Sequence, residues 1–496
     1  MAGSETGWLL TALEILAALF IFVVGLAALT LVVTYVLDVT QTRQALRRNY
    51  PVLVHFRYAF ERLGTFFRQY FFAMDREEMP FNRAQRAWVY RAAKNVDNTI
   101  AFGSTRDLRP AGTVLFANTP YPTLNEDAVP PRAVTIGADC PHPYVTQSIF
   151  NISGMSYGAI SRPAVLALST GAKLAGCWLN TGEGGLSPWH LEGGADLVFQ
   201  IGTAKFGVRD AAGRLDENRL MEIAAHPQVK MFEIKLSQGA KPGKGGILPG
   251  AKVTPQIAAI RGIAVGEAAI SPNRHPEIAS DDALLDMIAR VRVVSGKPVG
   301  IKTVLGDPAW LDRLCTAIVA RGAVCAPDYI ALDGAEGGSG AAPQALMDDV
   351  GLPLREALPL LVDKLVAHGL RERIKVVAAG KLVTPADVAW ALCAGADFAA
   401  SARGFMFALG CIQALQCNRN TCPTGIATHN PRLQRGLVPA DKAERVAHYH
   451  RNLTYEVGLI AHACGVREPR ELSRQHCRVV GADGLSQALS ALHPEP

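Results

Sequence analysis

Past residue 145 the chain alternates short apolar runs with longer amphipathic stretches, and it does so eight times. The runs are 149–153, 177–181, 196–201, 230–236, 298–303, 328–333, 374–379 and 397–401. Helical periodicity fills intervals between them, over 160–175, 281–295, 308–322, 354–369 and 384–394. Runs of five to seven mostly apolar residues suit strands of a parallel sheet covered by helices. Eight such units predict an α/β fold, a closed TIM (β/α)8 barrel of about 250 residues with its site at the C-terminal strand ends. A doubly wound open sheet is the competing arrangement. It would carry a GxGxxG turn after its first strand, and none stands there.

The connections at the later strand ends are rich in glycine. Asp333-Gly334-Ala335-Glu336-Gly337-Gly338-Ser339-Gly340 follows the sixth run, Ala379-Gly380-Lys381 the seventh, and Ser401-Ala402-Arg403-Gly404 the eighth. Loops in these positions bind phosphate through backbone N–H groups, and glycine lets the backbone come close to the anion. Each loop alone is equally well a simple turn; together they point to a phosphorylated ligand. Lys302, near the end of the fifth run, places a cation at the barrel mouth, where it would steady an electron-rich ring or form a plain barrel salt bridge. Residues 237–280 hold Ser237 to Gly246, Pro249-Gly250 and Ser271 to Pro276. So long a Gly/Pro-rich connection on the site face reads as a substrate cover, or as a surface insertion.

The N-terminus has a different grammar. Ile15 to Leu37 contains no charged residue in 23 positions. At about 1.5 Å per residue this spans a hydrocarbon core of roughly 30 Å. A signal peptide would begin with basic residues and have a shorter apolar stretch, whereas Met1 to Glu5 is acidic. The expectation is a transmembrane helix, with a buried core helix as the alternative. The formal net charge of +6 gathers just after it. Residues 38–110 carry 13 Lys/Arg against 7 Asp/Glu, while 111–496 carry 37 against 35. Arg43, Arg47, Arg48, Arg57, Arg62 and Arg68 therefore place the body in the cytoplasm, as a single-pass protein of the inner or cytoplasmic membrane. Between Tyr50 and Phe72 the arginines mix with nine aromatics. That composition suits an amphipathic neck on an anionic headgroup layer, and next to a membrane span no nucleic-acid partner is expected. The division expected is an anchor at 1–37, a basic aromatic neck at 38–110, a barrel at 111–437 and a helical extension at 438–496.

Three of the ten cysteines stand apart. Cys411, Cys417 and Cys422 make C-x5-C-x4-C with Pro423 behind the last. Closely spaced thiolates with a trailing Cys-Pro suit an iron–sulfur cluster; three ligands favour a three-iron cluster or a four-iron one with an open corner. A zinc site completed by His429, or free thiols, are the alternatives. The other seven read as scattered small core residues.

These motifs together resemble the flavin-binding synthase domain of glutamate synthase over roughly residues 140–430. Ser153-Gly154-Met155-Ser156-Tyr157-Gly158-Ala159 is similar to the family's first-strand flavin loop, and Asn180 to Gly185 to its second-strand motif. Glu233-Ile234-Lys235 with Gly239-Ala240-Lys241-Pro242-Gly243 resembles its fourth-strand loop, and Leu409 to Thr428 its three-iron segment. The resemblance implies a TIM barrel holding FMN, with a 3Fe-4S cluster on Cys411, Cys417 and Cys422 that feeds it electrons. It implies flavin contacts from Ser153, Gly154, Met155, Ser156, Lys302, Gly337, Gly338, Gly380, Lys381, Ser401 and Arg403. It implies that Lys241 and Arg261 hold oxo-acid carboxylates and that Glu183 handles protons near the ammonia entry. The reaction expected is reductive amination of 2-oxoglutarate or a related oxo acid.

Two departures qualify this. The family's substrate loop reads Gly-Gly-Gln, whereas here it is Gly245-Gly246-Ile247, which removes an amide expected to hydrogen-bond 2-oxoglutarate. The Gly-Gly pair after the seventh strand is Gly380-Lys381. No glutaminase cysteine opens the chain and no NADPH-binding domain is evident, so ammonia and electrons are expected from outside, the latter from a ferredoxin-like or reductase partner. The same cofactors serving another substrate, or a membrane-tethered electron relay, are the competing functions.

Overall fold

Eight parallel strands close into a barrel. We label them β1 (Phe150–Ile152), β2 (Leu179–Asn180), β3 (Leu197–Ile201), β4 (Val229–Lys235), β5 (Val299–Val304), β6 (Tyr329–Asp333), β7 (Lys375–Ala379) and β8 (Phe398–Ser401). Each pairs with the next, and β8 returns to β1 through Ala399 opposite Phe150. The computed structural model describes residues 3–494, and the chain divides after Ala84 into two units.

The eight apolar runs all became barrel strands because they are buried on both sides. Outward residues such as Phe232, Ile234 and Ile301 pack under helices. Inward ones, Trp178, Val198, Met231, Tyr329, Ala331, Val377 and Phe398, fill the lumen. An antiparallel hairpin, Val134–Ile136 with Tyr144–Thr146, adds Ile136 and Tyr144 to that cluster and stoppers the N-terminal end. The open end is the C-terminal one.

The covering helices start and stop where local chemistry dictates. Helix Arg162–Ala175 is capped by Ser161, which accepts the Ala164 N–H, and ends at left-handed Gly176. Helix Asp281–Ser295 is capped by Ser280, opens with Asp281 and Asp282, and stops at Gly296; the acidic first turn complements the helix dipole. Helix Pro439–Ala463 lies along Arg162–Ala175, and a Cβ on Gly171 would sit 2.5 Å from Val446. The chain beyond 438 is not helical throughout, however. Cys477–Val480 and Ser486–Ala488 form a three-stranded antiparallel sheet with Val114–Phe116. Short amphipathic runs near a chain end carry too little periodicity to reveal a partner more than 300 residues away.

In the N-terminal unit, helix Gly3–Thr40 includes a segment, Gly7–Thr40, long and apolar enough to cross a membrane, and most of that segment is exposed. At its end Asp38 is buried and accepts hydrogen bonds from the Val52 N–H and the His55 ring, the latter at 2.8 Å. The next long helix, Leu53–Phe67, exposes Leu53, Phe56, Phe60, Leu63 and Phe67 at helical spacing, an apolar stripe along one face.

Candidate active site

At the C-terminal strand ends the pleat turns a polar layer into the barrel. Period-two alternation on β4 directs Met231, Glu233 and Lys235 inward. Asn180 of β2 donates to Glu233 Oε1 at 2.9 Å, and Gln200 of β3 donates to the same oxygen at 2.7 Å. Asn180 Oδ1 accepts the Gly182 N–H at 2.9 Å and so shapes the turn that presents Glu183. Lys302 Nζ lies 3.8 Å from Asp333 Oδ2, which also accepts the Gly239 N–H at 2.9 Å. The mouth cation and the salt-bridged barrel lysine are therefore one and the same side chain. Ser153, Asn180, Glu233 and Lys302 line a small cavity over Met231 and Tyr329. Gly154 and Met155 follow in the same first loop, and a Cβ on Gly154 would sit 2.8 Å from Asn180 Oδ1.

The loops after β6, β7 and β8 converge beside this cavity. Arg403 donates to the Glu336 carbonyl at 2.7 Å. Its Nε passes so close to Gly338 that a Cβ there would be 2.9 Å away. Burial lowers the Arg403 pKa to about 10, while Asp333 and Glu336 hold it up. Lys381 is lowered by burial and then by the like charge of Arg403. Gly337 lies against the Asp333 carboxylate and Gly380 against Gly334. Ser401 accepts the Gly404 N–H on its hydroxyl at 3.2 Å and the Ser153 N–H on its carbonyl at 3.1 Å. Arg403 and Lys381 are two half-buried cations beside Glu336, a positive pair among glycine-rich loops to which an anion could bind.

On the opposite side of the mouth three cations surround one carboxylate. Lys235 Nζ is 3.1 Å from Glu183 Oε1. Burial would raise the Glu183 pKa, but the charges of Lys235, Lys241 and Arg261 outweigh it and hold the pKa below the usual value. Burial, helped by Lys235, lowers Lys241 to about 8 against the pull of Glu183. Burial lowers Arg261 to about 10. Arg261 donates to the Tyr157 carbonyl at 3.1 Å and reaches Ser156 Oγ at 3.5 Å, while its Nε is buried with no partner. Three cations against one anion leave two positive charges over, which is what a dicarboxylate neutralises.

The long segment 237–280 supplies much of this. It contains helix Pro255–Arg261, whose last residue is the buried arginine, and a two-stranded ribbon pairing Ile247–Leu248 with Ala269–Ile270. A Cβ on Gly246 would lie 2.8 Å from Glu183 Cδ, so glycine there admits the carboxylate. Ile247 and Ile270 stand opposite each other on one face, 37% and 71% exposed, while Leu248 is buried beside Gly158. Lys235 had no assigned role in the sequence. Its signal was the alternation on β4, which ends on a lysine at the mouth. His275 braces it: Nε2 is 3.0 Å from the Lys235 carbonyl, and burial lowers the ring to about 4, keeping it neutral.

Cys411, Cys417 and Cys422 lie in irregular chain after helix Arg403–Leu409. Burial, with Cys417 and Cys422 adding like charge, pushes Cys411 up to about 12. Cys422 goes the other way: burial raises it, but hydrogen bonds from Thr424, Ala427 and Ile426 lower it overall. Among the described residues no three His, Cys, Asp or Glu side chains close around a single-ion site. His429, the residue named for a zinc alternative, turns Nε2 to the Gly158 carbonyl at 2.8 Å. The segment is fastened to the first barrel loop, with the Ser161 N–H on the Ile426 carbonyl at 2.7 Å. A residue the sequence reading passed over adds a third tie. Lys252, buried, donates to the carbonyls of Ala159 at 2.6 Å and Cys417 at 3.2 Å. Its only sequence signal was a lysine inside a Gly/Pro-rich loop. The remaining seven cysteines are buried free thiols, as small core residues are.

The conserved region of glutamate synthase matches residues 123–467. The chain belongs to the glutamate synthase family. It is 38% identical to the glutamate synthase large subunit-like protein YerD of Bacillus subtilis, over 95% of this chain and 97% of that one. It is 35% identical to the archaeal-type glutamate synthase (NADPH) of Thermotoga maritima over 69% of this chain, spanning 64% of that protein's length. Among solved structures, flavocytochrome b2 aligns over 85% of each chain at 12% identity with a TM-score of 0.45. Membership makes the glutamate-synthase-like chain an oxidoreductase acting on the CH-NH2 group of donors.

Proposed function

We propose that this glutamate-synthase-like chain reductively aminates 2-oxoglutarate, or a closely related oxo acid, to the amino acid. Ammonia and electrons come from outside, and FMN and a 3Fe-4S cluster are the cofactors. The observation that carries the reading is the convergence of Lys235, Lys241 and Arg261 on Glu183 beside the barrel mouth. A pure electron relay has no use for a dianion clamp, which favours the enzyme over the tethered relay.

Both cofactors suit the residues present. For FMN, Arg403 and Lys381 among the glycine loops offer an anion cradle, and Lys302 lies at the cavity; Ser153, Gly154, Met155, Ser156, Gly337, Gly338, Gly380 and Ser401 would complete its surroundings. For the cluster, Cys411, Cys417 and Cys422 lie within reach of one another's charge and are served by N–H donors, as thiolates require. When bound, FMN supplies hydride chemistry and the cluster single electrons.

The chain's own groups do the rest. Lys241 and Arg261 hold the oxo acid's carboxylates. Arg261, fixed on the Tyr157 carbonyl, sets the substrate's position relative to the first loop. Glu183, ionised among its cations, accepts hydrogen bonds from incoming ammonia and takes a proton as the C–N bond forms. Overall, oxo acid and ammonium with two electrons and two protons become amino acid and water. We read segment 237–280, with its ribbon of Ile247–Leu248 against Ala269–Ile270, as the cover of the substrate site.

We read Gly7–Thr40 as a single span of the cytoplasmic membrane with the barrel on the cytoplasmic side. The arginines after it and the apolar stripe of Leu53–Phe67 support this. The test of function is anaerobic: reduce the purified protein, add 2-oxoglutarate with ammonium, and follow flavin reoxidation and glutamate. Reoxidation with stoichiometric glutamate is expected; neither appearing sinks the reading. Reoxidation only by a protein electron acceptor favours the relay.

A further inference from the structure

Lys252 is an unusual residue to find where it is. It belongs to a 3-10 turn, Gly250–Lys252, inside the long site-covering segment, and it is 2% exposed. Its ammonium joins two separate parts of the molecule. One is the loop after β1, through the Ala159 carbonyl at 2.6 Å; the other is the cysteine segment, through the Cys417 carbonyl at 3.2 Å. Asn420 makes a parallel link, donating to the Ala251 carbonyl at 3.1 Å. Burial lowers the lysine to about 8 against the opposing charges of Cys417 and Cys422, which leaves it a cation at neutral pH, and among described residues no carboxylate is paired with it. Burying an ammonium costs several kcal/mol unless anionic charge lies close. Two neutral carbonyls satisfy hydrogen bonds without balancing the charge, so the compensating negative charge has to come from the cysteine side.

Resting on the cofactor reading above, we propose that Lys252 is a positioning and potential-setting residue for the cluster held by Cys411, Cys417 and Cys422. Reduction adds one electron to the cluster, from an external reductant, and Lys252 gives up no proton. The product therefore carries one more negative charge next to a fixed buried cation. In a low-dielectric setting that cation stabilises the reduced form more than the oxidised one. Lys252 raises the cluster's midpoint potential and eases its reduction. By tying Ala159 to Cys417 it also fixes the distance between the cluster segment and the loop that carries Ser153 to Ser156.

The test uses the full-length, iron-replete protein and three variants. Lys252→Met removes charge and hydrogen bonds, Lys252→Gln keeps hydrogen bonding, and Lys252→Arg keeps the charge. The readout is the midpoint potential from a dithionite titration followed by the three-iron EPR signal, with thermal midpoints recorded alongside. Lower potentials in Lys252→Met and Lys252→Gln, with Lys252→Arg near the parent, are expected. Loss of the signal from Lys252→Met and Lys252→Gln with retention in Lys252→Arg also supports the proposal. Unmoved potentials, or loss of the signal from all three, overturn it and leave Lys252 a folding residue. Absence of any three-iron signal in the parent protein sinks the cofactor reading itself, which is a different failure.

Discussion

Glu183 shows how much of the site rests on single atoms. Its carboxylate occupies the space that any side chain at 246 would need. Gly246→Ala should push Glu183 off its cations, and steady-state assays should show kcat/KM falling about 10- to 100-fold, as small misplacements of reacting groups do. The same cluster sets a pH limit. Lys241, lowered to about 8, is a cation below that pH and neutral above it. The KM for the oxo acid should therefore be flat below about pH 8 and rise above it, by up to about tenfold per pH unit, and Lys241→Arg should flatten the rise. A KM profile from pH 6.5 to 9.5 checks both. None of this was visible in the sequence, where Lys235, Lys241, Arg261 and Glu183 are separated by up to dozens of residues. Only the family likeness singled out three of the four.

Among elements, the pair formed by helices Arg162–Ala175 and Pro439–Ala463 is the tightest test of packing. A Cβ on Gly171 would lie 2.5 Å from Val446 and 2.7 Å from the Ala443 carbonyl. Neither a β-branched side chain nor a helix carbonyl yields easily. Gly171→Ala gains helix propensity of about 1 kcal/mol, yet overpacking costs about 1–3 kcal/mol. Denaturant melts should show net destabilisation. The helix itself was legible from its period, while its Ser161 cap and the helix it packs against came from the structure. The eight strands were legible too, because burial on both faces writes itself into a run of apolar residues. Strand Cys477–Val480 was missed because it is four residues long, alternates weakly and pairs with chain at 114–116.

For the molecule as a whole, the division after Ala84 separates an apolar helix and its basic aromatic follow-on from the barrel unit. Deleting residues 1–84 should leave the barrel's thermal transition within a few degrees of the parent, while the protein moves from the membrane pellet to the supernatant. Circular dichroism melts and sedimentation of cell lysates measure the two effects. A lost transition would mean that the barrel depends on the N-terminal unit for stability.

The amino-acid sequence by itself determined the kind of molecule: a parallel barrel, an apolar N-terminal helix, and three clustered cysteines. Each is a local pattern of period, length or spacing, and local patterns survive in one dimension. Tertiary structure alone decided that Glu183 sits among three cations, that Asn180, Gln200 and Glu233 share one knot, and that Lys252 ties the cysteine segment to the first loop. These depend on closing the barrel, which brings residues far apart in the chain within 3 Å of each other. Charge and hydrogen bonding act over those few ångströms, and the linear order of residues does not contain them.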